Sequence, residues 1–292
     1  MYAYDYSAAV EQAIVARLPR EPSLASRAAR SAAAVAVRAA LRVYNRLRIG
    51  GVEHLPLGRP FVIVANHASH LDTVCLQAAL PLRQLHLTHA VAAADYFFEN
   101  ASLARAAAAS LITNALPFAR GRGAGSVGGG VGGGGARPGN VRESLALCRE
   151  LLADRAAGHV LIIYPEGTRT TSGAVGPFKR GVGELVAGRD VPVVPCFIDG
   201  AFRAWPKGVW MPRPRRVRLT FGPPRAYEHV ARGKQSAQMI ADDLRRAVLE
   251  LGRDRRVAPG AGVDRRADGF DGDCRTTSTG DNARVATASP LF

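Results

Sequence analysis

The 292-residue chain carries 39 lysines and arginines against 24 acidic residues, a formal net charge of +15, and is 47% hydrophobic. That length and apolar share suit one large domain or two small ones with a sizeable core, and they exclude wholesale disorder. Its four cysteines, Cys75, Cys148, Cys196 and Cys274, are far apart with no C-x-x-C pair, which excludes a disulfide framework or zinc knuckle by spacing and fits a reducing, cytosolic setting.

The N-terminal MYAYDYSAAVEQ places acidic residues where a signal peptide needs basic ones, and no apolar run of about 18 residues follows anywhere, so neither a signal peptide nor a transmembrane helix is expected. Pro22 and Ser23 announce a helix over residues 23–48, alanine-rich, with six arginines and no acidic residue. At 100° per residue Ala33, Ala36, Val37, Ala40, Val43, Tyr44 and Leu47 share one face, with Arg27, Arg30, Arg38, Arg42 and Arg46 opposite. Such a helix suits an anionic bilayer surface, and equally suits packing on the domain with its arginines in water.

Four short apolar runs follow that read as buried strands: residues 61–64, 160–164, 193–198 and 217–221. Helical patterns lie between them at 73–80, 102–112, 141–155 and 181–186. Strands alternating with helices predict an α/β domain with a mostly parallel central sheet flanked by helices, over 49–250. Ligands in such sheets bind beyond the carboxyl ends of the strands, where Asn66, His67, Glu166 and Arg169 fall. Two segments stand outside this plan. Residues 121–139 contain eleven glycines among nineteen and read as a disordered insertion; residues 251–292 read as a disordered tail. The tail's seven arginines and six aspartates nearly cancel, so the folded part holds the positive excess and favours an anionic partner.

Chemistry-bearing residues concentrate in a few blocks. In IVANHASHLD the H-x-x-H-x-D spacing offers ligand types, but no second His/Cys/Asp cluster completes a coordination sphere, so no metal is expected. As a base and its orienter, His67 just outside a helix and Asp72 within its first turns fit better. A carboxylate on one ring nitrogen fixes the tautomer and leaves the other to take a proton from a hydroxyl. Asn66 and Ser69 are capping types at that junction, and His70 falls on the far side of the helix from Asp72, a spectator. In YPEGTRT, Glu166 can accept from hydroxyls, Gly167 lets backbone approach a ligand and Arg169 can grip a phosphate bidentately. Arg120 in NALPFARG, and Lys179 with Arg180 in GPFKRG, add cations in loops.

Taken in order, N-H-x-S-x-x-D from Asn66, a segment ending P-x-x-R at Arg120, P-E-G-T-R from Pro165 to Arg169, and V-P-V-V-P from Val191, the blocks resemble the glycerolipid acyltransferases, the lysophosphatidic acid and glycerol-3-phosphate acyltransferases and their relatives. The resemblance spans roughly residues 45–225. It implies transfer of a fatty acyl group from acyl-CoA or acyl-acyl-carrier protein to the hydroxyl of a glycerophosphate or lysophospholipid acceptor, lysophosphatidic acid being the default. It also implies His67 as base with Asp72 orienting it, Arg120 and Arg169 on the acceptor phosphate, Glu166 and Gly167 around its glycerol part, Thr168 as a further substrate-binding residue, and Lys179 as a supplementary phosphate contact. No cofactor is implied. Tyr164 stands where the family usually has phenylalanine, and the glycine-rich insertion directly follows Arg120. The membrane-anchoring helices common in the family reduce here to the basic amphipathic stretch, so peripheral attachment to an anionic membrane surface, on its cytoplasmic side, is expected. Against a hydrolase or thioesterase stands the lack of a G-x-S-x-G elbow. Against nucleic-acid binding, Trp205, Trp210 and the tyrosines are not interleaved with a basic stripe.

Overall fold

The structure, a computed structural model, describes residues 24–93, 116–118, 141–206, 208–209 and 211–253. Helix α1 (Leu24–Tyr44) leads into strand β1 (Arg48–Gly50), a 3-10 turn (Val52–His54) and strand β2 (Phe61–Ala65). Then come α2 (Leu71–Ala79), a second 3-10 turn (Leu82–Leu87), β3 (Thr88–Ala93), β4 (Leu116–Phe118), α3 (Val141–Ala153) and β5 (Val160–Ile163). The chain closes with α4 (Gly181–Val186), β6 (Val193–Asp199), α5 (Ala201–Ala204), β7 (Arg218–Phe221) and α6 (Lys234–Arg253).

The strands form one seven-stranded sheet in the order β1-β7-β6-β2-β5-β3-β4. Every neighbouring pair is parallel except β6 and β7. β2 lies at the centre between β5 and β6, and all five of its residues are buried. A strand covered on both faces needs apolar side chains on both, which is why FVIVA is a continuous run and not an alternation. Its side chains still divide by period two. Val62 and Val64 join a core with Cys148 and Leu151 of α3, Val182, Leu185 and Val186 of α4, and Ile240, Leu244 and Val248 of α6. Phe61, Ile63 and Ala65 join a second core on the other face, with Leu41 of α1 and Leu71, Cys75 and Leu76 of α2.

The α/β class and the mostly parallel sheet agree with the sequence reading, and the four expected strands fall within a residue of the observed β2, β5, β6 and β7. Several expectations change. The N-terminal helix stops at Tyr44, four residues before the expected end, because Asn45 and Arg46 turn the chain into β1: Arg46 adopts φ 47°, and the Arg48 N–H donates to the Val217 carbonyl. Its arginines do not all face water. Arg38 donates to the carbonyls of Gln77 and Leu80, adding a side-chain donor at the C-terminal end of α2, where the Leu80 N–H also bonds the Gln77 carbonyl. Val43, expected on the packed face, is 80% exposed, and Val35 is 51% exposed, while Arg42 and Arg46 stay outward as expected. Strands β1, β3 and β4 and helix α6 were not anticipated, although α6 carries the pattern Ala237, Ile240, Ala241, Leu244 and Val248 that buries one helical face. That helix continues through Arg253, three residues into the stretch read as a tail. The expected helix at 102–112, the glycine-rich insertion and the remainder of the tail lie outside the described residues.

Candidate active site

The carboxyl end of β2 builds the site. Immediately after the strand, the buried Asn66 side chain donates to the Ile198 carbonyl (3.0 Å) and accepts from the Ile198 N–H (2.8 Å), extending the β2–β6 ladder by one side chain. This corrects its reading as a helix cap. Ser69 does serve that end, its Oγ accepting from the Leu71 N–H while donating to the Trp205 carbonyl at 2.7 Å.

Helix α2 starts at Leu71, so His67 stands outside it and Asp72 in its first turn. His67 Nδ1 lies 3.0 Å from Asp72 Oδ2. Asp72 is fully buried, and the same Oδ2 also accepts the N–H groups of Ala68 (2.6 Å) and Ser69 (2.8 Å). An oxygen that already takes two backbone donors acts toward the imidazole as an acceptor, which puts the ring proton on Nδ1 and leaves Nε2 with its lone pair. The His67 side chain keeps 21% of its surface, and its ring stacks on Tyr164 at 4.1 Å between centroids and 16° between planes. Tyr164 is itself fixed by a 3.0 Å hydroxyl contact with Thr73 Oγ1, and burial pushes its phenol well above the usual range.

The Tyr164–Thr170 loop leaves β5 beside β2. Gly167 N–H donates to the Tyr164 carbonyl at 3.0 Å, closing a turn with proline second and glycine fourth, positions that favour those residues. Gly167 has φ +72°, and a Cβ there would stand 2.7 Å from Lys179 Nζ, so the lysine side chain lies directly against the turn. Glu166 is buried; one carboxylate oxygen accepts the His67 N–H at 2.8 Å and the other the Gly176 N–H at 2.9 Å. Burial raises its carboxyl above the usual range, only partly countered by those two backbone bonds. The Thr170 N–H donates to the His67 carbonyl at 2.9 Å. The two loops are thus stitched through His67, with Glu166 holding its backbone in place.

Arg169 donates to His70 Nε2, and the His70 ring tilts against Trp205 at 5.2 Å. Burial first, then the charges of Arg169 and His67, lower His70 to about 4. His70 is therefore a neutral acceptor orienting a guanidinium, not the spectator expected. The sequence gives no local signal for that contact, because the two residues are 99 positions apart. Thr168 is exposed at the tip of the turn. Arg120, the remaining expected phosphate contact, lies outside the described residues. Among those described, no three His, Cys, Asp or Glu side chains gather as metal ligands.

A family model described as Acyltransferase matches residues 46–199, just over half the chain and the whole span from β1 to the end of β6. The chain belongs to the acyltransferase family. Its resemblance to the glycerolipid acyltransferases extends to particular relatives. A 1-acyl-sn-glycerol-3-phosphate acyltransferase of Limnanthes douglasii is 39% identical over 64 residues, 22% of this chain and 23% of that one. The human enzyme named 1-acyl-sn-glycerol-3-phosphate acyltransferase alpha is 27% identical over 155 residues, covering 53% and 46%. The mouse alpha enzyme is 25% identical over 211 residues, covering 72% and 64%. The matched segments thus span less than two thirds of each of these relatives. The crystal structure of the 1-acyl-sn-glycerophosphate (LPA) acyltransferase PlsC from Thermotoga maritima superposes with a TM-score of 0.51 over 84% of this acyltransferase-family chain and 89% of that one, at 20% identity. That likeness establishes a common fold.

Proposed function

We propose that the chain transfers a fatty acyl group from an acyl thioester, acyl-CoA or acyl-acyl-carrier protein, to the free hydroxyl of a lysophospholipid, with lysophosphatidic acid giving phosphatidic acid. The observation that carries this reading is the 3.0 Å His67–Asp72 contact at the carboxyl edge of the sheet, with Asp72 fully buried. His67 Nε2 takes the acceptor hydroxyl proton as that oxygen bonds to the thioester carbonyl carbon. The C–S bond then breaks, and the imidazolium returns its proton to the departing thiolate, giving an ester and a free thiol. Asp72 holds the ring and offsets the charge it gains. Arg169, aimed by His70, Lys179 beside the Gly167 turn, and Arg120 supply the positive charge that an acceptor phosphate needs. Gly167 and Thr168 form the turn against which its glycerol part would lie, with Glu166 bracing that turn. The names of the matched relatives support lysophosphatidic acid as acceptor. An acceptor dissolved in a bilayer calls for peripheral attachment to an anionic membrane surface, on its cytoplasmic side; among the described residues no helix is long and apolar enough to cross a membrane.

Acceptor dependence tests the reading. With either donor, release of free thiol should require lysophosphatidic acid and should match phosphatidic acid formed. Thiol released at the same rate without any acceptor would make the chain a thioesterase instead.

A further inference from the structure

The sheet brings to its catalytic edge a surface that the acyl-transfer machinery does not use. β7 runs antiparallel to β6 with Arg218 opposite Asp199, and β1 lies parallel to β7 with Arg48 opposite Arg218. The start of β7, the start of β1 and the C-terminal end of α1 therefore all lie at the edge where β2 delivers His67. The described residues of the 205–217 connection lie along this edge. The connection is bound to the catalytic block through the Trp205 carbonyl on Ser69, and to α5 through the Arg213 N–H on the Ala204 carbonyl at 2.7 Å. It is bound to α1 through Asn45 Nδ2, which donates to the carbonyls of both Arg213 and Arg215 at 3.3 Å, and through the Tyr44 hydroxyl on the Pro212 carbonyl at 2.9 Å.

The contacts with α1 are made by the backbone carbonyls of Pro212, Arg213 and Arg215, so they leave the arginine side chains free to face solvent. Arg213, Arg215 and Arg216 are exposed, and Arg46 is exposed beside them, its guanidinium reaching the Pro214 carbonyl. Between Asp199 and Glu228 the sequence has six arginines and one lysine and no acidic residue. Among the described residues no carboxylate pairs with Arg46, Arg213, Arg215 or Arg216. Apolar side chains stand among the cations: Met211 is 60% exposed and Val43 80%. Cations with outward apolar groups on one rigid edge match the interface of an anionic bilayer, where phosphates meet the arginines and acyl chains take the apolar groups. Arg38, by contrast, is turned inward to the end of α2 and contributes nothing to such a surface.

We infer that the 211–216 connection, together with the C-terminal end of α1, is the surface by which this protein docks on an anionic lipid leaflet, bringing the mouth of the His67 site against the membrane. The inference builds on the proposed lipid acceptor, and its test is separable from that reading. The full chain is sedimented with phosphatidylcholine vesicles, alone or with phosphatidylglycerol, across a salt series. The wild type should bind the anionic vesicles and lose binding as salt rises. Arg213→Glu/Arg215→Glu/Arg216→Glu should weaken partition by at least about a hundredfold at low salt, as each basic residue near an anionic leaflet contributes about fivefold. The milder Arg213→Gln/Arg215→Gln/Arg216→Gln variant should fall between, and thermal melts should match wild type, since Asn45 holds carbonyls and not guanidinium groups. Met211→Ser/Val43→Ser should weaken binding at high salt as well as low. Arg155→Glu/Arg232→Glu/Lys234→Glu changes the charge equally at the opposite edge of the sheet and should retain binding. Activity on a water-soluble short-chain acceptor should stay unchanged in the triple reversal while activity on vesicle-borne acceptor falls.

Unchanged vesicle binding by the triple reversal would overturn the inference, as would an equal loss in the opposite-edge variant. Loss of acyl-carrier-protein binding with vesicle binding intact would also overturn it, assigning the surface to an acidic protein. Vesicle binding as described by a wild type that transfers no acyl group would uphold it and defeat the proposed function; acyl transfer without any vesicle binding would do the reverse.

Discussion

In the proposed mechanism, the five positions between His67 and Asp72 let the base stand outside the helix that holds its carboxylate. On a continuous helix that separation would swing the two side chains apart; the Ala68–Ser69 turn instead folds both backbone N–H groups and the imidazole onto one oxygen. This pair was legible in sequence because strand, turn, base and carboxylate all lie within ten residues. The His67–Tyr164 stack and the Arg169–His70 contact were not, since each joins segments almost a hundred residues apart that only the β2–β5 pairing brings together. The second of these has a pH consequence. His70 falls to about 4 in the folded chain from an ordinary 6.5, so the unfolded chain binds the proton more readily between those values. Its neutral form is accommodated fully above pH 6.5, and stability is lost as pH drops from 6.5 toward 4. His70→Gln should flatten the dependence of melting temperature on pH within that window. Parallel curves for the two proteins would show that His70 is not held neutral by the fold.

Elements were legible where their apolar pattern was strong. FVIVA, VLII and VVPCFI are dense in β-branched and apolar residues and buried on both sides, which no alternative arrangement of those side chains would satisfy. β3 is written THAVAA, with alanines that carry little strand preference; its pairing with β5 makes it a strand. The face of α1 that packs could not be read from charge alone, because Arg38 reaches inward to the Gln77 and Leu80 carbonyls at the end of α2. Close helix packing sets another constraint. A Cβ at Gly183 in α4 would lie 2.1 Å from the Ala237 carbonyl oxygen of α6. Alanine would gain about 1 kcal/mol of helix preference, but a clash with backbone forces the helices apart, and overpacking of that kind costs about 1–3 kcal/mol. Gly183→Ala should therefore melt several degrees lower, whereas an unchanged or higher melting temperature would mean that the helices can separate freely.

At the scale of the whole molecule, the mostly parallel sheet places the described loops that carry His67 and Arg169 on one edge. β2 delivers His67, β5 delivers the Pro165–Arg169 turn, and the β6–β7 connection delivers Trp205 and the basic surface beyond it. The location of the site beyond the carboxyl ends followed from the class of fold; the antiparallel β7, which starts at that same edge and keeps the β6–β7 connection there, did not, because the short run RLTF carries no direction. The proposed reaction depends on one base that is removable without disturbing the core, since the His67 side chain is partly exposed and Glu166 and Thr170 hold only its backbone. The decisive measurement is phosphatidic acid formed from lysophosphatidic acid and an acyl thioester by purified wild type and His67→Ala. The account predicts a fall in kcat of about 10² to 10⁴ with a melting temperature close to wild type. Near-full activity in His67→Ala would contradict it.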